Sequence, residues 1–289
     1  MIYLLLCILS STSIFIVFKL LNRLRVSTVG AIVVNYITAG ALGLIVLGGD
    51  GFDPLNAPWF KMALVTGFLF VFMFFVIGYS SRVAGITITS LTTKLSVVIP
   101  VLFSILRFGE AITIYKVAGM ILALAAIVMI VYKPINRSGP KSNMREVIWL
   151  PVILFFGAGF IDSIIKYSQQ QYVSEGETLA FATTTFLVAA IISVGFRLVG
   201  RFEKNENKWY RLLLGGVALG VVNFGSLYFL VMALGSPHIA SSVVFGINNI
   251  GIVLMSVIAG MVLFGERLSL LNKTGIVIAI ISIVILFYS

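Results

Sequence analysis

The chain has few charged residues, and these would not cover a water-facing surface. Only 10% of its 289 residues are charged, whereas soluble domains carry about 25%. One cysteine, Cys7, excludes an intrachain disulfide and a multi-cysteine metal site, and one histidine, His238, argues against a histidine-based metal site or proton relay. The composition is instead 60% hydrophobic, with a mean hydropathy of +1.13, as is typical of a polytopic membrane protein.

Apolar runs close to the membrane-spanning length of about 20 residues recur along the chain. Since lipid offers no hydrogen-bond partner to the backbone, each run is predicted to be helical. Residues 2–20 are expected to be a permanent span, because no basic region precedes them. The prediction is an all-α polytopic membrane protein with ten transmembrane helices, at 2–20, 27–48, 59–79, 86–106, 112–132, 147–168, 178–199, 209–233, 239–263 and 269–288.

The two halves of the sequence repeat. Shifting residues 80–132 by 156 places them without a gap on residues 236–288, with twelve identities that include the block "FGE" and a glycine nine residues after it. Five spans in each half make the second half inverted relative to the first, an arrangement typical of secondary transporters. We therefore expect an N-terminal five-helix repeat over 1–132, a cytoplasmic linker over 133–146 and a C-terminal five-helix repeat over 147–289.

Lysine and arginine are distributed unequally between the two membrane faces. The face shared by the connections 1–2, 3–4, 5–6, 7–8 and 9–10 carries fifteen of them and the opposite face four. We call the first face the basic side. The positive-inside rule assigns it to the cytoplasm, which leaves both termini outside. The expected location is the bacterial cytoplasmic (inner) membrane.

Lys94 stands alone inside the apolar stretch "LTTKLSVVIP". It lies eight residues into its span, about 12 Å from the basic side. A charge at that depth costs at least about 2.5–3.5 kcal/mol, so it is expected to face water or a partner. Lys94 is interpreted either as a cavity residue that binds an anionic substrate group or as a structural residue that joins two helices.

Asp162, in "FIDSIIK", is the carboxylate that lies deepest in a predicted span. One hypothesis makes it a coupling site for a proton or cation, or the partner of Lys94. The other makes it a local partner of Lys166, four residues later on the same helix.

Polar pairs occupy matched positions of the repeat. Asn248 and Asn249 fall on Thr92 and Thr93 by the 156 shift, whereas Lys94 falls on Ile250. Such side chains bind substrate or bond between helices, and so do two further amides, Asn35 and Asn223.

A glutamate follows a glycine at two short helix-to-helix turns. Glu110 and Glu266 are expected to cap the amides of the helix that comes next. They are therefore interpreted as architectural residues and not as proton carriers.

The doubled segments "PVLFSILRFGEAITIYKVAGMILALAAIVMI" and "SVIAGMVLFGERLSLLNKTGIVIAIISIVIL" make the chain resemble the EamA-type drug/metabolite transporter superfamily. The resemblance implies a ten-helix secondary transporter with a central cavity. The chain departs from the family pattern in its second repeat, where Ser256 stands at the position that Pro100 occupies in the first repeat. The first helix lacks the acidic residue of the small multidrug-resistance relatives, so their proton–cation exchange is not carried over.

The predicted function is alternating-access transport of a small metabolite, preferably export of an amino-acid-like or other carboxylated solute, without a cofactor. Sugar-nucleotide or drug transport is the alternative, and a non-transporting receptor or scaffold is less favoured. An enzyme is disfavoured because the spans hold no convergent catalytic set. Expected partners are the substrate, the bilayer, protons as a candidate coupling ion, and no nucleic acid, with the chain as a monomer or homodimer.

Overall fold

A computed structural model describes residues 2–48, 53–108, 112–132, 144–199, 209–234 and 241–287. All long regular elements in these ranges are helices, and a short 3₁₀ turn spans Glu175–Glu177. Most of the linker predicted over 133–146 lies outside the described residues, as does Glu110. The helices are α1 Ile2–Arg23, α2 Thr28–Leu47, α3 Phe60–Val83, α4 Ile86–Leu95, α5 Val98–Phe108, α6 Ile114–Tyr132, α7 Met144–Gln171, α8 Thr178–Val199, α9 Trp209–Leu234, α10 Ser241–Phe264 and α11 Leu270–Phe287.

The helices have the length and composition that a bilayer requires. Eight spans in the described ranges are long and apolar enough to cross a membrane, with α4 and α5 counted as one span. Two shorter apolar helices, Ile114–Ala126 and Leu270–Leu286, are found where the fifth and tenth spans are predicted. The chain is thus an all-helical integral membrane protein.

The span predicted at 86–106 is broken in its middle. Pro100 has no amide hydrogen to donate to the Ser96 carbonyl, and Ile99 N donates to that oxygen instead at 2.9 Å. The Ser96 hydroxyl turns back to the Thr93 carbonyl at 2.6 Å. As a result α4 ends at Leu95, immediately after Lys94.

The corresponding span of the second half is continuous. Ser256 stands where the repeat has Pro100, and α10 runs unbroken through it from Ser241 to Phe264. Because serine keeps its amide hydrogen, the helical ladder need not be interrupted there. The difference between the two spans therefore follows from one residue in the sequence.

Packing joins the two halves of the chain along most of their helices. In the first half α1 packs on α9 and α10, while in the second α7 packs on α3, α4 and α5. The pairs α2–α8, α4–α10 and α6–α11 bring one helix from each half together. The apolar cores are accordingly shared between halves: Leu95 and Ile283, for example, lie fully buried in one cluster.

Glu266 caps a helix, but the helix is not the one that follows it. Its carboxylate accepts hydrogen bonds from Ile86 N at 2.9 Å and Thr87 N at 3.3 Å, at the start of α4. The start of α11 is capped by Ser269, whose hydroxyl accepts a hydrogen bond from Asn272 N at 3.2 Å. The prediction that Glu266 caps the next helix was wrong, because tertiary packing brings α4 closer to this carboxylate.

Candidate functional site

Lys94 and Asp162 lie on two helices that pack against each other, α4 and α7. Lys94 is half-buried at the end of α4, and Asp162 lies nine residues before the end of α7, on a helix that packs against α4. Their charges are close enough to interact. The two side chains nevertheless make no direct ion pair in the described structure.

The side chain of Asp162 is exposed, although its neighbours Ile161 and Ser163 are buried. A carboxylate that interacts with a lysine from another helix faces the inside of the bundle, since a charge turned toward lipid is costly. Asp162 is therefore expected to face α4 and not lipid. Lys94 and Asp162 place a cation and an anion from opposite halves of the chain within electrostatic reach of each other.

Lys166 is not the direct partner of Asp162. The structure gives no ion pair between these two described residues, and the electrostatic neighbour of Asp162 is Lys94. Lys166 has an interaction of its own. The charged group within electrostatic reach of Asp162 is thus Lys94, and the functional role of Asp162 stays a prediction.

Cys7 connects α1 to the same region, which sequence reasoning missed. Its thiol lies 3.1 Å from the Ser226 carbonyl oxygen and 3.2 Å from Asn248 Oδ1, and it lies within electrostatic reach of Lys94. Cys7 and Asn248 are both buried. A signal was available in the polar run that follows Cys7, "SSTS", which gives the first helix a hydrophilic stretch.

The other residues of the two polar pairs are placed less centrally. Thr93 donates its hydroxyl to its own helix, to the carbonyls of Thr89 at 3.1 Å and Ser90 at 2.8 Å. Thr92 is buried, and Asn249 is half-buried. Substrate binding by these three residues stays a prediction.

Asn35 and Asn223 form a separate interhelical contact. Asn223 Nδ2 donates to Asn35 Oδ1 at 3.2 Å, between α9 and α2, and both side chains are buried. Their surroundings are aromatic, with Tyr36 and Phe224 in the adjoining core. Lys94 lies within electrostatic reach of Asp162 and Cys7, and Cys7 in turn contacts Asn248. The Asn35–Asn223 pair links α2 to α9, and substrate binding by these amides stays a prediction.

Metal binding has no support in the described residues, where no group of three or more His, Cys, Asp or Glu side chains converges. The site consists of one lysine, one carboxylate, one amide and one thiol. These groups can form hydrogen bonds and ion pairs with a small polar solute.

An apolar all-helical chain with eight spans long enough to cross a bilayer in its described ranges belongs to the class of integral membrane proteins. Its family follows from sequence comparison. The sequence model of the EamA-like transporter family matches residues 1–132 and 149–288. The chain therefore belongs to the EamA-like transporter family.

Two relatives and one solved structure extend this finding. A Haemophilus influenzae protein described as uncharacterized is 28% identical over 97% of this chain and 96% of its own length. A Staphylococcus aureus protein described as probable glucose uptake protein GlcU is 23% identical over 91% of this chain and 86% of its own. A crystal structure with 16% identity and a TM-score of 0.62 covers 96% of this chain and 95% of its own, which shows a shared fold.

Proposed function

We propose that the chain is a secondary transporter that moves a small carboxylated solute by alternating access. The observation that carries the proposal is the placement of Lys94 and Asp162 on opposite halves, within electrostatic reach of each other but without a direct ion pair. A charge retained inside a membrane bundle marks a substrate or ion pathway by default. We expect a ligand that carries both charges to bind between these two groups.

An amino-acid-like zwitterion suits this arrangement. Its carboxylate would approach the Lys94 ammonium and its ammonium group would approach Asp162. The Asn248 amide, linked to Cys7, would supply a neutral hydrogen-bonding group nearby. A solute that satisfies both charges also avoids leaving either of them unpaired, which is expensive in a low-dielectric site.

The alternating-access mechanism is supported by the relation between the two halves. Each helix of the first half has a counterpart in the second half: α1–α3 correspond to α7–α9, α4 with α5 to α10, and α6 to α11. The packing follows this correspondence. The pair α1–α9 corresponds to the pair α7–α3, and the pair α1–α10 corresponds to the packing of α7 on α4 and α5. The family model also matches two separate segments, one in each half. Both observations favour two inverted five-helix repeats around a central site.

A sugar is the second candidate substrate. The Staphylococcus aureus relative is described as a probable glucose uptake protein, and carboxylates, amides and ammonium groups all bond to sugar hydroxyls. A neutral sugar would use Lys94 and Asp162 as hydrogen-bond donor and acceptor and would not require both charges.

Transport by purified protein in liposomes tests the proposal. Counterflow is measured with radiolabelled amino acids, other carboxylic acids and glucose, with unlabelled solute loaded inside and then, in a second series, outside. Saturable counterflow of a zwitterion, abolished in Lys94→Met, is the expected result. Counterflow of glucose alone favours the second candidate, and no counterflow of any solute contradicts the transporter function. A pH gradient imposed in the same vesicles tests coupling to protons.

A further inference from the structure

Glu266 joins the two halves of the chain at one end of the bundle. It follows α10, where Gly265 takes a φ of 63° and Glu266 N donates to the Gly260 carbonyl at 2.9 Å. This left-handed turn, which glycine adopts readily, directs the carboxylate away from α11. The carboxylate then accepts from the first two amides of α4, Ile86 N and Thr87 N.

A third helix contributes the counter-charge. Lys19, near the end of α1, pairs with Glu266 Oε1 and lies 5.2 Å from the centroid of the Phe264 ring. Only 6% of the Glu266 side chain is exposed. A carboxylate between a helix N-terminus and a lysine forms charge-assisted bonds with both, which are stronger than neutral ones.

Two glycines keep the space around this carboxylate clear. A Cβ added at Gly85, whose φ is 92°, would lie 2.6 Å from Glu266 Oε1. A Cβ added at Gly260 would lie 2.6 Å from Glu266 Oε2. Even an alanine at either position would therefore displace the carboxylate.

This contact lies on the basic side, at the mouth of the proposed path to Lys94. The end of α1, the start of α4 and the end of α10 meet there. Ser90 and Lys94 follow one and two helical turns deeper along α4, and Ser90 is fully buried beneath the contact. In the conformation described here, this contact joins the two halves of the chain at the basic end.

We propose that Glu266, with Lys19 and the start of α4, is a latch that holds the basic end closed and releases when the transporter opens there. The proposal rests on alternating access as the mechanism. Release is feasible because water can replace every partner: the carboxylate, the ammonium and the two amides lie at helix ends, where solvent can reach them once they part. A purely apolar contact would gain no hydrogen bonds to water when it opened.

Cysteine accessibility tests the latch. Cys7 is replaced by serine, and Ser90→Cys then places one thiol beneath the latch, since Cys7 is the chain's only cysteine. A membrane-impermeant thiol reagent is applied to right-side-out and to inside-out vesicles, without substrate. Glu266→Ala is expected to increase labelling of Ser90→Cys from the basic side by at least about tenfold, the effect of losing one of the three charge-assisted hydrogen bonds of this carboxylate. Glu266→Gln, which keeps an acceptor oxygen, is expected to have a smaller effect.

Two further variants complete the experiment. Gly260→Ala crowds the carboxylate and the neighbouring Thr87 hydroxyl without altering the charge, so it is expected to increase labelling from the same side. Asp53→Asn is the control, because Asp53 accepts a hydrogen bond from Asn56 within one loop of one half, at 2.7 Å.

The latch is contradicted if Glu266→Ala and Gly260→Ala leave labelling unchanged in protein that melts normally. It is also contradicted if labelling rises equally from both sides with a lowered melting temperature, which would show a purely structural role. Labelling needs no substrate, so it remains readable if the proposed transport activity fails.

Discussion

Replacing Lys94 with methionine removes the positive charge from the proposed site while keeping a side chain of similar length. The structure indicates that the fold tolerates this change. Lys94 makes no direct ion pair with Asp162, so their attraction is weaker than about 4 kcal/mol, the value for contact at 4 Å and an effective dielectric constant of 20.

The effect on binding is expected to be larger than the effect on folding. A hydrogen bond to a charged group contributes about 1.5–3 kcal/mol. If the Lys94 ammonium holds the substrate carboxylate, Lys94→Met should weaken binding by about 10- to 150-fold, at about 1.4 kcal/mol for each factor of ten. Lys94→Arg keeps the charge and should retain more affinity than the methionine variant.

Equilibrium binding in detergent and counterflow in liposomes measure this loss, and thermal unfolding measures the fold. Asp162→Asn supplies the companion measurement: a zwitterion should lose affinity in both variants, and a sugar much less in either. Normal affinity and transport in Lys94→Met would refute the role of Lys94 in the site. A variant that fails to fold would show instead that this lysine joins helices, as the structural interpretation holds.

Two more changes test features around the site. Asn223→Ala deprives the buried Asn35 amide of its partner and should cost about 0.6–2 kcal/mol in thermal unfolding. Asn35→Ala combined with it should cost less than the two single changes added together, and strict additivity would argue against the pair. Pro100→Ala restores the missing amide at the break between α4 and α5. It should increase the free energy of unfolding by up to about 3 kcal/mol, measured as a higher unfolding temperature. It should also slow counterflow. Pro151→Ala is its control, because α7 is continuous through Pro151, and equal slowing by both changes would contradict a special role for the break.

The spans were predictable because the membrane leaves the chain little choice. Each apolar run must satisfy its own backbone, so its helix follows from length and hydropathy alone. Lys94 could be identified for the same reason, since a charge among apolar neighbours needs an explanation. The break after Leu95 follows from Pro100 by local chemistry, although ten spans counted by hydropathy gave no sign of it.

Contacts between helices were not predictable in this way. The partner of Glu266 is at the start of α4, 180 residues away, and nothing in the local sequence around the glycine–glutamate turn indicates it. The bond between Cys7 and Asn248 spans 241 residues. Such contacts depend on which faces of the helices meet, and one sequence with weak hydropathy differences around each helix does not determine those faces.

Pro100 and Ser256 bear on the energy of the two conformations between which a transporter of this design would alternate. Two identical halves arranged in opposite directions would relate the inward-open and outward-open states by a two-fold rotation and give them equal free energy. A broken helix in one half and a continuous helix in the other remove that equality, because bending at the break costs less than bending α10. The empty protein should therefore rest mainly in one of its two states, and the solute gradient would set the direction of net flux against that bias.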